Sequence, residues 1–182
     1  DFDLYMNNKL PVKISNINYV YPTDGKDSTR NVSGKIINSV AETYPFLLGG
    51  SADVSKSTMA RINNTLDFSA STPNGRNINF GVRENAMASI ANGMALSNIT
   101  PFVSTFFAFS DFLKPGIRLS ALMDLPVIYV FSHDSISVGE DGPTHEPVEQ
   151  LAALRCMPNF DVYRPADANE TIGAYKAVLE LR

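Results

Sequence analysis

Val127, Ile128, Tyr129, Val130 and Phe131 follow one another without a polar break, between Pro126 and Ser132. A strand with one wet face alternates apolar and polar residues, so an unbroken run suits a strand covered on both faces, as in a parallel sheet flanked by helices. Shorter stretches of strand character occupy 46–48, 77–80, 100–104 and the neighbourhood of 160–163. Around them, apolar residues recur at helical spacing. The first set is Val32, Ile36, Ile37, Val40, Ala41 and Tyr44, with Ser28 or Thr29 as cap and Pro45 as terminator; the second is Ala86, Met87, Ile90, Ala91, Met94 and Ala95. A third helical run covers about 106–123, interrupted by Pro115 and Gly116; a fourth lies near 148–155, and a fifth begins at Ala168. Strand and helix thus alternate five times. Parallel neighbours need crossover connections and both sheet faces need cover, so the expected fold is α/β, an open, mostly parallel sheet with helices on both faces.

The 182 residues are 44% apolar and 19% charged, enough for one globular domain with a proper core. Residues 1–30 lack periodicity and carry Pro11, Pro22 and Gly25, so they read as an inter-domain linker, with the domain proper over 31–182. The chain opens on Asp1 and stops inside a helical pattern at Leu181 and Arg182, as a segment of a longer protein does. A net charge of −4 without a Lys/Arg run argues against nucleic acid or an anionic membrane as partner. No apolar run approaches the ~18 residues of a membrane span. The single Cys156 excludes an internal disulfide framework and reads as a small buried hydrophobe in the apolar stretch 151–157, which fits a cytoplasmic protein.

In parallel α/β sheets, ligands bind beyond the carboxyl ends of the strands. The segments that follow the expected strands are Gly49-Gly50-Ser51-Ala52-Asp53, Gly81-Val82-Arg83-Glu84, Thr105-Phe106-Phe107-Ala108-Phe109, a long loop from Ser132 to His145, and Arg164-Pro165-Ala166-Asp167. The long loop holds both histidines of the chain, His133 and His145, together with Asp134, Glu140 and Asp141. Ordered loops of this length are usually functional. Two blander readings stand beside that one: a solvated acidic loop, and a metal site of His133, Glu140, Asp141 and His145, although eleven residues between the histidines match no compact ligand spacing. Glu84 in a first helical turn is equally what the helix dipole favours. Phe106, Phe109 and Phe112, three residues apart, suit either a core stripe or a platform for a flat ligand. No G-x-G-x-x-G follows a strand, and no G-x-x-x-x-G-K-[ST] or G-x-S-x-G occurs, so dinucleotide, P-loop and serine-hydrolase chemistry lack support. A flavodoxin-like binding module stays open on fold alone.

In order and spacing, these motifs resemble the transketolase family across about residues 28–182. They are Leu48-Gly49-Gly50-Ser51-Ala52-Asp53, Gly81-Val82-Arg83-Glu84-Asn85-Ala86-Met87, Thr105 to Phe109, His133-Asp134-Ser135, Gly139-Glu140-Asp141-Gly142-Pro143-Thr144-His145, and Arg164 to Asp167. The last long stretch favours transketolase over deoxyxylulose phosphate synthase and the 2-oxoacid dehydrogenases, which share the fold and the glutamate. The resemblance implies the pyrimidine-binding domain of a thiamine diphosphate enzyme that moves a two-carbon ketol unit from a ketose phosphate to an aldose phosphate, in the pentose phosphate pathway. It implies that Glu84 bonds the cofactor's aminopyrimidine ring and promotes the tautomer that deprotonates the thiazolium. Phe106, Phe109 and Phe112 match the aromatic pocket around the pyrimidine, the last often Tyr in relatives, and Asp53 matches an acid near the thiazolium. His133 and Asp141 match contacts to the donor's hydroxyls, His145 a histidine beside the reacting carbonyl, and Arg30 and Ser57 residues that hold the sugar phosphate. Asn85 departs from the His that many relatives carry there. Mg2+ or another divalent cation belongs, by the same resemblance, to an N-terminal domain outside this chain, and the second subunit of a homodimer completes the site. This chain alone is then expected to be inactive. A nonenzymatic binding or partner-subunit module of the same fold, or the matching domain of deoxyxylulose phosphate synthase, is the alternative.

Overall fold

A computed structural model describes residues 3, 6, 7 and 26–180. Of the expected linker over 1–30, residues 1, 2, 4, 5 and 8–25 lie outside the described residues, and Thr29 and Arg30 already belong to the first helix. Helix α1 (Thr29–Thr43) starts where Ser28, in extended conformation, accepts a bond from the Asn31 amide on its side chain, and it buries the apolar stripe Val32, Ile36, Ile37 and Val40. There follow β1 (Leu47–Ser51), the single turn α2 (Ser55–Thr58), β2 (Asn77–Asn79), α3 (Glu84–Leu96), β3 (Thr100–Phe106), a 3-10 turn (Phe107–Phe109), α4 (Ser110–Leu122), β4 (Ile128–Ser132), α5 (Gln150–Arg155) and α6 (Ala168–Glu180). Among the described residues the sheet has four strands in the order β2-β1-β3-β4, and every pairing is parallel.

Side chains alternate across β3, so each face of the sheet has its own core. Phe102 joins the cluster of Val32, Ile36, Ile37, Val40, Leu47, Ile172 and Leu179 on the α1 and α6 side. Its neighbour Val103 joins Phe80, Met87, Ala88, Ala91, Leu113, Ile117 and Leu154 on the α3 and α4 side. On this second side, α3 and α4 meet so closely at Gly116 that a Cβ there would stand 2.5 Å from the Ala88 Cβ, and Asn92 Nδ2 donates to the Gly116 carbonyl at 2.9 Å. Among the described residues no helix is long and apolar enough to cross a membrane.

Four local expectations are corrected. Gly49 and Gly50 lie inside β1 rather than beyond it: a Cβ on Gly49 would sit 1.8 Å from the Phe102 carbonyl oxygen and one on Gly50 2.0 Å from that of Ile78, so the pair serves close strand approach. Pro115 does not interrupt its helix. It removes one ladder bond, but α4 continues through it because Leu113, Gly116, Ile117, Ser120 and Ala121 are buried along its inner face. The segment 160–163 joins no ladder: it lines a cavity of about 440 Å3 together with β4 and meets that strand through side chains, the Phe160 ring standing edge-on to Tyr129 at 6.0 Å. Cys156 is exposed, as the residue that ends α5, because that helix is only six residues long and buries Gln150 and Leu154 instead.

Candidate functional site

Because the strands are parallel, their carboxyl ends share one edge, and any helix that leads into a strand starts there too. Arg30 in the first turn of α1 is therefore brought beside residues that follow β1 and β4. Its Nη1 donates to the Ser57 carbonyl at 3.4 Å and lies 3.4 Å from His133 Nε2. The Ser57 carbonyl, rather than its hydroxyl, makes this contact. Asp53, exposed in the turn beyond β1, has a φ of 64°, a backbone state that short polar residues tolerate best.

Phe106, the last residue of β3, is buried, and its ring carries the site's aromatic cluster. Phe109 stacks on it at 5.9 Å with 23° between planes, His133 lies 3.9 Å away, and His145 lies 5.9 Å from Phe106 and 5.0 Å from Phe109. Phe112 extends the row outward, 6.2 Å from Phe109, and is 61% exposed. The row thus runs from core to rim, and neither a pure core stripe nor a sealed pocket describes it.

His133 takes up the first position after β4 with a φ of 53°. Its Nδ1 pairs with Ser132 Oγ at 2.9 Å. An arginine can only donate, so Nε2 is the acceptor and Nδ1 carries the proton. Burial first, and then the nearby charges of Arg30 and His145, hold His133 below the usual imidazole pKa against the opposing pull of Asp141. The ring is therefore neutral near pH 7. His145 Nδ1 pairs with Thr144 Oγ1 at 2.8 Å. Downstream of it, Gln150 accepts from the Val148 amide at 2.9 Å and donates to Asp111 at 2.8 Å, fastening the end of the loop to the start of α4. Lys114 first and Gln150 after it lower the Asp111 carboxyl.

Glu84 opens α3 after Gly81, whose φ is 67°, and Arg83. The carboxylate is partly exposed and has no bonded partner among the described residues. It stands beyond β2, two strands over from Phe106. All ten expected site residues thus lie along the carboxyl edge, with Arg30, Ser57, Phe106, Phe109, His133 and His145 linked by contacts. Asp141 is coupled to them through charge, Phe112 forms the rim, and Glu84 and Asp53 stand apart. Two contributors were not among the expected site residues: Gln150, in a helical pattern, and Arg164, which opens the strand-end segment 164–167 but had no role assigned, and whose Nε donates to Asp134 Oδ2 at 2.8 Å and Nη2 to the Asp134 carbonyl at 3.3 Å. Among the described residues, no group of three or more His, Cys, Asp or Glu is arranged to hold a metal ion.

The family model for the pyrimidine binding domain of transketolase matches residues 25–182. The transketolase of Halalkalibacterium halodurans is 52% identical over 180 residues, which are 98% of this chain and 27% of that one. A Pichia stipitis transketolase solved with sedoheptulose 7-phosphate superposes with a TM-score of 0.93 at 40% identity, covering 98% of this chain and 28% of that one. A split-gene transketolase, an inactive β4 tetramer, superposes at 0.67 with 32% identity, over 86% of this chain and 49% of that one. These relatives are transketolases and not deoxyxylulose phosphate synthases, and the chain spans about a quarter of the length of the curated relative. With the aromatic row, the two histidines set against it and the lone Glu84 on one sheet edge, the chain belongs to the transketolase family, whose pyrimidine-binding domain it represents.

Proposed function

We propose that this chain provides the pyrimidine-binding half of a transketolase active site, in an enzyme that passes a two-carbon ketol unit from a ketose phosphate to an aldose phosphate. The reading rests above all on Glu84, an unpaired carboxylate at the first turn of α3 on the same edge as the stacked pair Phe106 and Phe109. A flat ring with a hydrogen-bonding margin needs an aromatic wall and one uncommitted carboxyl group, so these residues fit the aminopyrimidine of thiamine diphosphate. When bound, the cofactor supplies an acidic carbon and an electron sink.

The protein's own residues position and protonate. Glu84 would share a proton with a pyrimidine ring nitrogen, Phe106 and Phe109 would wall the ring, Phe112 would border it, and Asp53 would stand near the thiazolium. His133, through the neutral Nε2, and Asp141 take the donor's hydroxyls; His145 stands at the reacting carbonyl. Arg30, reinforced by Ser57, takes the sugar phosphate, since its guanidinium is charged and only loosely engaged. The diphosphate and its divalent cation, Mg2+ or another, fall to residues outside this chain, and a second subunit of a homodimer completes the site. The pentose phosphate pathway and the cytoplasm are the setting that goes with this activity. The sedoheptulose 7-phosphate held by the Pichia stipitis relative supports the substrate class.

Two measurements test the reading. The 182-residue chain, given xylulose 5-phosphate, ribose 5-phosphate, thiamine diphosphate and magnesium, is expected to show no turnover; activity would mean that it needs no further domain. In the full-length enzyme, Glu84→Gln is expected to slow exchange of the cofactor's carbon 2 proton for deuterium about 100-fold to 10,000-fold at saturating cofactor. Exchange at the wild-type rate would reduce Glu84 to a helix-start acid.

A further inference from the structure

His133 is held from three directions. Phe106 supports its ring at 3.9 Å, Ser132 Oγ fixes Nδ1 at 2.9 Å, and Arg30 faces Nε2 at 3.4 Å. None of these acts on the peptide that follows it. That peptide matters, because His133 has a φ of 53°, where a side chain with a Cβ is crowded by its own backbone and stays only if its surroundings hold it. The next residue, Asp134, is gripped at two points by one side chain: Arg164 Nε donates to Asp134 Oδ2 at 2.8 Å, and Arg164 Nη2 donates to the Asp134 carbonyl at 3.3 Å. The two residues are 30 apart in sequence, and Arg164 lies in the segment beyond α5 that joins no strand.

We infer that Arg164 is a positioning residue for the donor site, clamping the Asp134 side chain and main chain so that His133 keeps its left-handed backbone and presents Nε2 to the substrate. The inference rests on the reading of His133 as a donor contact. The guanidinium suits the task because its rigid fork places two donors at once, which the single ammonium of lysine does not reproduce. The ion pair is about half exposed, with side-chain exposures of 47% and 44%, so it adds little to global stability; its effect is local.

The test uses the full-length enzyme and a double-mutant cycle on the KM for the donor ketose. Arg164→Ala is expected to raise that KM about threefold to tenfold, the lower part of the range of coupling between residues in one network, with kcat, cofactor affinity and melting temperature little changed. Arg164→Lys, which keeps the charge but not the fork, should fall between the two, and Asp134→Asn should resemble Arg164→Ala. In a His133→Ala background, Arg164→Ala should add no further rise. A rise of the same factor in both backgrounds would overturn the inference, as would an unchanged KM in Arg164→Ala while His133→Ala still raises it. An unchanged KM in His133→Ala itself would instead sink the reading of His133 as a donor contact, and the inference with it.

Discussion

Arg76 and Arg30 stand at opposite edges of the same sheet and are used in opposite ways. At the amino edge, Arg76 gives all its reach to the fold: Nε and Nη2 donate to the Leu47 carbonyl at 3.1 and 2.9 Å, Nη2 also to Tyr44 at 2.9 Å, and Nη1 to Ala41 at 3.0 Å. It thereby satisfies carbonyls left over where α1 ends and β1 begins, an orphaned set at any helix terminus. Burial pulls its pKa down, although a guanidinium stays charged. At the carboxyl edge, Arg30 is exposed and makes two contacts of 3.4 Å. A cation that closes the fold's own bonds cannot serve a ligand, whereas one held loosely beside a neutral imidazole can. The difference lies in the backbone each edge presents: a carbonyl cluster at one, strand ends opening into loops at the other.

The sharpest way to break this division is at Glu84. In the full-length enzyme, Glu84→Gln should lower kcat by about 100-fold to 10,000-fold, or roughly 3 to 5 kcal/mol of barrier. The melting temperature should barely move, since a first-turn acid adds only about 0.3 to 1 kcal/mol. A large thermal shift would make the carboxyl edge structural after all. Arg76→Ala should do the reverse. It takes the guanidinium donors from the carbonyls of Ala41, Tyr44 and Leu47, so denaturant unfolding should report a loss of about 2 to 4 kcal/mol, while kcat per folded molecule is kept.

Arg30→Ala comes next, with a rise in KM for phosphorylated sugars of about tenfold to a hundredfold, the worth of a charged hydrogen bond, and no change for an unphosphorylated ketose. Equal loss for both sugars would show that Arg30 supports His133 rather than a phosphate. The smallest effect is that of pH. Because His133 titrates below the ordinary value of 6.5, the neutral ring is lost only as pH falls through that lowered value, and donor KM should rise by less than about fourfold by pH 6. The folded protein also resists this protonation more than the unfolded chain does, so stability should decline as pH falls from about 6.5 to the lowered folded value and be unaffected above about 6.5. His133→Gln should flatten the KM profile.

The covering of both sheet faces could be read from the run at 127–131, and the placement of Glu84 from the strand, glycine and helix pattern around it, because both follow from short-range periods of two and 3.6 residues. The same periods put Phe106, Phe109 and the two histidines beyond parallel strands, hence on one edge. Periodicity could not reveal that 160–163 stays out of the ladder. That outcome depends on how the segment packs beside β4, which it meets through the Tyr129 and Phe160 rings rather than through backbone pairing. Nor could it tell that Gly49 and Gly50 are spent on strand contact, or that Cys156 ends a helix too short to bury it.

Partner choice was likewise invisible in the sequence. Arg30, Arg76 and Arg164 are the same residue type in similarly polar surroundings, yet one faces a histidine 103 residues away, one caps carbonyls 29 to 35 residues back, and one grips an aspartate 30 residues earlier. The sequence by itself determined four of the strands, the main helices and the sheet edge at which the expected site residues emerge, since local sterics and burial period act within a few residues. Only the tertiary structure decided which of these groups are consumed by the fold and which remain for a ligand. That depends on strand order, on the packing of α3 against α4, and on distances between segments that no local pattern encodes.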